Sequence, residues 1–258
     1  MEIKHVHFVY FSPTGTTKKV LYKMKEHIEI NSTIHDFTPF HCKYETIEFE
    51  YNDLLVVGIP VYSGRVPATF VERISFLKGK STPVILVATY GNRDYDDALI
   101  ELKTLLTQNG FVPIAAAAFV AEHNIYRAIA AGRPDEKDME EIQAFTGRIS
   151  DLLVSIDDFS DYNLHVKGNK EYRDYILMPV QPHSTKKCNR CGICAELCPS
   201  GAIPVNSPDK TDKSKCVRCM SCVRFCPKQA RKLYLYQKLG AKLHLSKYTE
   251  YKSHEYFW

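Results

Sequence analysis

The chain has 258 residues, 45% of them hydrophobic and 25% charged, with a formal net charge of +4. These values exclude disordered, collagen-like and coiled-coil chains, and the length allows one large domain or, more readily, two smaller ones. The charge is unevenly spread, with a net −6 over residues 1–160 and a net +10 over residues 161–258.

The longest nearly uninterrupted apolar run, Val112 to Ala121, is about half of what a membrane span needs. The first residues run straight into an alternating strand, without a charged segment followed by an apolar one. The expectation is a cytoplasmic protein with no membrane span. Nine cysteines are present, eight of them between Cys188 and Cys226. Without an export signal, that clustering points to metal binding rather than a disulfide framework.

In chain order, short apolar runs alternate with amphipathic stretches. The predicted strands are His5–Phe11, Thr33–Phe37, Leu54–Ile59, Val84–Tyr90 and Val112–Val120. The predicted helices are Thr16–Ile28, Pro67–Leu77, Tyr95–Asn109 and about Asp135 to Val154, the last capped by Asp135 after the Gly132-Arg133-Pro134 break. Five strands alternating with helices predict a doubly wound parallel sheet covered on both faces. The continuous apolar character of Leu54–Ile59 and Val84–Val87 agrees with burial on both sides. The division expected is 1–158 for this α/β domain, 159–186 for a connection, 187–233 for a cysteine domain and 234–258 for a Tyr- and Lys-rich tail without an assigned element.

Cys188, Cys191, Cys194 and Cys198 with Pro199, and Cys216, Cys219, Cys222 and Cys226 with Pro227, are two copies of C-x2-C-x2-C-x3-C-P. Three thiolates two residues apart wrap one cubane from a tight loop, while the fourth reaches the other cubane. The expected ligand sets are Cys188, Cys191, Cys194 and Cys226 for one [4Fe–4S] cluster, and Cys198, Cys216, Cys219 and Cys222 for the other. A structural zinc site also favours C-x2-C, but it takes four ligands and leaves the third cysteine and the trailing Cys-Pro of each copy unexplained. The segment resembles the bacterial two-[4Fe–4S] ferredoxins, which implies a small α+β domain. Arg190, Arg218 and Arg224 stand between or beside ligands. They either steer an acidic redox partner, face the acidic first half, or form a solvated surface that offsets cluster charge. Lys and Arg are interleaved with cysteines rather than aligned with stacking aromatics, so nucleic acid is not expected.

The first strand ends in Ser12-Pro13-Thr14-Gly15-Thr16-Thr17 and enters a helix, a setting suited to a phosphate monoester. It is neither a Walker A loop nor a dinucleotide fingerprint. After the third strand comes Pro60-Val61-Tyr62-Ser63-Gly64-Arg65, and after the fourth Thr89-Tyr90-Gly91-Asn92-Arg93-Asp94-Tyr95. Both loops fall at the carboxyl ends of strands, where open α/β sheets bind ligands. These features are similar to flavodoxins, which implies a flavodoxin-like five-stranded domain with the first loop on FMN phosphate and the other two flanking the ring. By that resemblance the cofactor residues are Ser12, Thr14, Gly15, Thr16, Thr17, Pro60, Val61, Tyr62, Ser63, Gly64, Thr89, Tyr90, Gly91, Asn92 and Tyr95. Many flavodoxins stack a Trp on the flavin, whereas the single Trp here is Trp258, so tyrosine would serve. The alternative is a flavin-free scaffold in which those tyrosines are ordinary packing.

The joined arrangement resembles the flavodoxin–ferredoxin fusion proteins of anaerobic bacteria and archaea. One flavin handles one or two electrons and each cubane one, which implies a converter that exchanges electrons between two [4Fe–4S] clusters, FMN and a redox partner protein. The alternative from another class is an FMN-dependent oxidoreductase acting on a small-molecule acceptor, with the clusters as relay. No catalytic residue stands out, and a homodimer is left open. Arg65, Arg93 and Arg133 are candidates for phosphate or substrate contact, the 121–133 segment for a lid over the flavin, and Cys42 for a free thiol.

Overall fold

The fold is described by a computed structural model covering residues 2–156, 158–159 and 162–258. The edges of the expected 1–158 and 159–186 segments include residues 1, 157, 160 and 161, which lie outside the described residues.

The strands and helices of the first half follow the alternation in the sequence: β1 (His5–Tyr10), α1 (Thr16–Lys25), β2 (Ser32–Asp36), β3 (Ile47–Phe49), β4 (Asp53–Pro60), α2 (Ala68–Ile74), β5 (Leu77–Gly79), β6 (Thr82–Tyr90), α3 (Ala98–Gln108), β7 (Phe111–Val120) and α4 (Glu136–Ser155). The later part carries β8 (His183–Ser184), α5 (Ile193–Glu196), α6 (Ser221–Arg224), β9 (Arg231–Lys232), α7 (Leu235–Leu245) and β10 (Glu255–Phe257).

The main sheet runs β2-β1-β4-β6-β7-β10. Its first five strands are mutually parallel. Strand order two-one-three-four-five is that of the flavodoxin-like doubly wound fold, as expected from the sequence. Alternate residues feed two cores. Val9, Leu55, Val57, Leu86 and Ala88 pack on one face, and Phe8, Leu54, Val56, Ile85 and Val87 on the other. This two-sided burial is why β4 and β6 read as continuous apolar runs. Asp135 caps α4 through a reciprocal box with Asp138.

The sheet is larger than the five strands expected. β10, from the segment the sequence left unassigned, pairs antiparallel with β7 through Glu255 to Ala118, Tyr256 to Ala117 and Phe257 to Ala116, covering the edge. His254 secures it: its Nδ1 accepts the Val120 N–H at 3.0 Å and its Nε2 lies 3.1 Å from Asp138 Oδ1. Arg133 forks onto the same carboxylate and donates to the Lys252 carbonyl at 2.7 Å. Trp258 lies against Phe145 with Arg148 4.1 Å from its ring, so it packs on α4. A two-stranded parallel sheet, β3 with β5, was also not anticipated, each strand being only three residues long.

Candidate functional site

At the carboxyl ends of β1, β4 and β6 a cavity of about 340 Å³ opens, within the size range of small-molecule sites. Ser12, Thr14, Thr16 and Thr17 form one wall, Pro60 to Ser63 a second, and Thr89 to Gly91 a third. Three loops far apart in sequence therefore meet at the switch point where β1 stands between β2 and β4.

The first loop is built to leave donors free. Gly15 turns the chain with φ 84° and precedes α1, which has no side-chain cap and no acidic residue in its first turn. The Lys18 N–H is taken by Ser12 Oγ at 3.0 Å, while Ser12 N–H donates to Thr38 Oγ1 at 2.8 Å. The Thr17 hydroxyl is spent on Thr89 Oγ1 at 2.7 Å, fastening α1 to β6. The remaining N–H groups and dipole of a helix N-terminus favour an anion there.

Four of the expected residues do not line the cavity. Gly15 makes the turn described. Gly64, at φ 77°, lies so close to Asp96 that a Cβ would clash with its carboxylate oxygen. Asn92 is buried and donates to the Tyr248 and Glu250 carbonyls, both at 2.7 Å. Tyr95 is also buried, edge-on to Tyr90, and its hydroxyl donates to Glu255 at 2.6 Å. Asn92 and Tyr95 thus hold the C-terminal segment. Of the arginines considered for phosphate or substrate, Arg65 is bidentate to Glu101 at 2.7 Å and Arg133 is committed to Asp138. Arg93 does line the cavity, but it is paired with Asp96. Cys42 is an exposed free thiol.

The rest of the lining comes from places without a motif. Glu122 to Ile125 belong to the segment considered for a lid; Arg173 and Ile176 to Met178 come from the connection; Val217 and Arg218 from the second cysteine loop; and His244, Leu245 and Tyr248 from the end of the chain. Burial, and secondarily Arg93, lowers the His123 pKa to about 4. Its neutral ring accepts the N–H groups of Ile125 and Tyr126 through Nδ1, both at 3.2 Å.

The eight clustered cysteines gather around two further, smaller cavities. Cys188, Cys191, Cys194 and Cys226 line one; Cys198, Cys216, Cys219 and Cys222 line the other. Each set takes three cysteines from one motif copy and the fourth from the other. Among the described residues no three ligating side chains converge as they would on a single ion; the cysteines enclose volumes instead. The copies share backbone geometry. Arg190 and Gly192 have φ 57° and 84°, and their counterparts Arg218 and Met220 have 56° and 65°. In each, the last cysteine accepts an N–H four residues on, Ala202 to Cys198 Sγ and Ala230 to Cys226 Sγ, both at 3.2 Å. Burial pushes the Cys219 thiol well above its ordinary pKa and the Cys222 thiol up to about 12. Such thiolates are costly alone and suited to ligating a cationic centre.

Residues 187–231 match the family model described as a 4Fe-4S dicluster domain. The architecture fits a flavodoxin–ferredoxin fusion. Among solved structures, the chain is similar to an archaeal flavodoxin at 15% identity, covering 58% of this chain and 99% of that one with a TM-score of 0.40. A Streptococcus pneumonia TIGR4 flavodoxin gives 16% identity, 57% and 99% coverage and a TM-score of 0.40. General stress protein 14 from Treponema denticola, solved in complex with FMN, gives 12% identity, 59% and 98% coverage and a TM-score of 0.34. No curated protein matches the chain. No helix among the described residues is long and apolar enough to cross a membrane.

Proposed function

We propose that this chain transfers electrons between two [4Fe–4S] clusters, held by the two cysteine sets, and FMN held in the 340 Å³ cavity, exchanging them with a redox partner protein. The observation that carries this reading is a shared wall. Val217 and Arg218 line both the large cavity and the one enclosed by Cys198, Cys216, Cys219 and Cys222. Tyr62 adds a second connection: it lines the large cavity, and burial, with a smaller contribution from the neighbouring Cys219, raises its hydroxyl pKa. The Cys198/216/219/222 set is therefore proximal to the flavin site and the Cys188/191/194/226 set distal.

The donor chemistry fits both groups. Eight thiols in two crossed sets, each with an N–H···S contact, suit two cubanes. The uncapped start of α1, with Thr14 and Thr16 beside it, suits the FMN phosphate, and the loops bearing Tyr62 and Tyr90 suit the ring. When bound, the clusters supply one-electron steps and the flavin one- or two-electron steps. The chain fixes their separation, excludes water with Ala202, Ile203 and Met220, and sets their potentials through hydrogen bonds and the nearby Arg218.

Anaerobic purification with iron, sulfide and FMN quantified per chain tests the proposal. About eight irons and one FMN are expected, with both chromophores reduced in a stepwise titration. Eight irons without flavin, even after FMN is supplied, would reduce the first half to a scaffold and overturn the electron exchange proposed here.

A further inference from the structure

The three arginines that the sequence places among the cysteines have different neighbours in the fold. Arg224 turns to the first half, 3.7 Å from Glu122. Arg218 faces the wall between the two larger sites. Arg190 is the most exposed of the three, 71% against 40% for Arg224, and it lies beside the distal set. Lys228 lines the same cavity as Arg190, Lys186 and Lys187 directly precede Cys188 in the chain, and all three are exposed; Cys191 itself is exposed whereas Cys194, Cys198 and Cys219 are buried. Of the carboxylates in this part of the chain, Asp209 is paired with Arg190 at 3.2 Å and Glu196 is exposed on α5. A ligand of the distal set thus reaches the surface beside exposed cations.

Resting on the proposed electron-transfer reading, we infer that this face is the docking surface for an acidic electron-carrier protein. Complementary charge steers the encounter and brings the partner's redox centre against Cys191. The reduced partner gives up one electron and this chain gains one; no bond forms and no proton moves. The occupant is a protein carrier because the cations lie beside an exposed ligand instead of forming a continuous stripe with stacking aromatics. A one-electron centre must also come close to that ligand.

The test uses the anaerobic holoprotein mixed in stopped flow with a reduced, strongly acidic two-cluster ferredoxin as probe, read by bleaching of the visible cluster absorbance. The variant Lys186→Glu/Lys187→Glu is expected to lower the second-order rate about tenfold or more at low ionic strength, with the gap closing near 0.5 M salt. Lys238→Glu/Lys242→Glu makes the same change of net charge on exposed residues of α7 and is expected to leave the rate near that of the parent. Reduction by neutral photoreduced deazariboflavin should be equal in all three chains, which shows that their clusters are intact. Equal losses from both variants, or no loss from the first, would overturn the docking surface. A chain that loads clusters and accepts electrons from the probe but never binds FMN fails the parent reading instead, since the cluster signal reports docking without the flavin.

Discussion

The two copies of the cysteine motif have the same spacing and the same left-handed positions, yet they occupy different environments. Cys191, the second cysteine of the first copy, is exposed, while its counterpart Cys219 is 8% exposed and lies on the cavity that shares Val217 and Arg218 with the large one. Arg190 is surface-exposed and paired with Asp209; its counterpart Arg218 lines two cavities. A repeated sequence dictates a repeated loop, and the surface on which the repeat lies decides which loop opens to solvent and which faces the large cavity.

The largest effect is expected from the side chain that presses one copy onto the sheet. Arg73, buried on α2, donates to the carbonyls of Phe37 at 2.5 Å, Thr38 at 2.9 Å and Pro199 at 2.6 Å, the last immediately after Cys198. Its guanidinium lies 5.5 Å from the Phe11 ring and 5.1 Å from that of Tyr44. Arg73→Met keeps much of the volume but strands three carbonyls, so a loss of about 3 kcal/mol is expected in urea unfolding. Protease cleavage within 187–231 should rise with it. Unchanged stability would mean that Arg73 does not hold the end of the first copy, and with it Cys198 of the proximal set, in place.

Iron release sharpens the same contrast. Under anaerobic chelation, about half the iron should leave at least tenfold faster than the rest, because the distal set is open at Cys191. The Arg73→Met chain should lose much of that difference. A single release phase in the parent would remove the asymmetry inferred from burial.

A smaller effect separates the paired arginines. Arg218 has no side-chain ion pair among the described residues and its Nε is buried without a partner, so its charge acts on the two cavities it lines. Arg218→Gln should lower the flavin potential and that of the proximal cluster by up to about 60 mV, a tenfold change for one electron. Arg190→Gln, whose charge is already met by Asp209 in solvent, should move neither by more than a small fraction of that. Optical and EPR titration reads both, and equal shifts from the two variants would contradict the placement.

Much of this arrangement was legible in the sequence because the signals are local. The five parallel strands follow from apolar runs such as Val84–Tyr90, and the crossed cysteine sets from fixed spacing. The Ser12–Thr17 loop announces itself by composition. What was illegible depends on contacts across long stretches of chain. β10 reaches β7 from more than a hundred residues away with three residues of pairing. Arg173, Ile176 and Tyr248 enter the cavity wall from segments without periodicity. Asn92 and Tyr95 sit in a loop suited to flavin, but their partners, Tyr248, Glu250 and Glu255, lie in the returning strand segment. Residue type in a loop shows that a polar side chain has work to do; which partner it meets is decided by how the chain returns.

The smallest expected effect concerns the cavity wall that the two halves share with the 121–133 segment. His123 has its pKa lowered from 6.5 to about 4 by burial and then by Arg93, and its ring is held by the Ile125 and Tyr126 N–H groups. The unfolded chain therefore binds a proton near 6.5 that the folded chain refuses until about 4. Stability from this residue is fully present above pH 6.5 and is lost as pH falls through that window, by about 2 kcal/mol at most between pH 7 and pH 5. His123→Asn keeps an acceptor in the place of Nδ1 without a titrating group. Its urea midpoint should fall less steeply between pH 7 and pH 5 than that of the parent, the acid sensitivity of the rest of the molecule being common to both. Parallel curves would show that His123 is protonated in the folded chain as easily as in the unfolded one. That result would mean water reaches the ring, and the wall between the loops and the cysteine segment would be open where the structure has it closed.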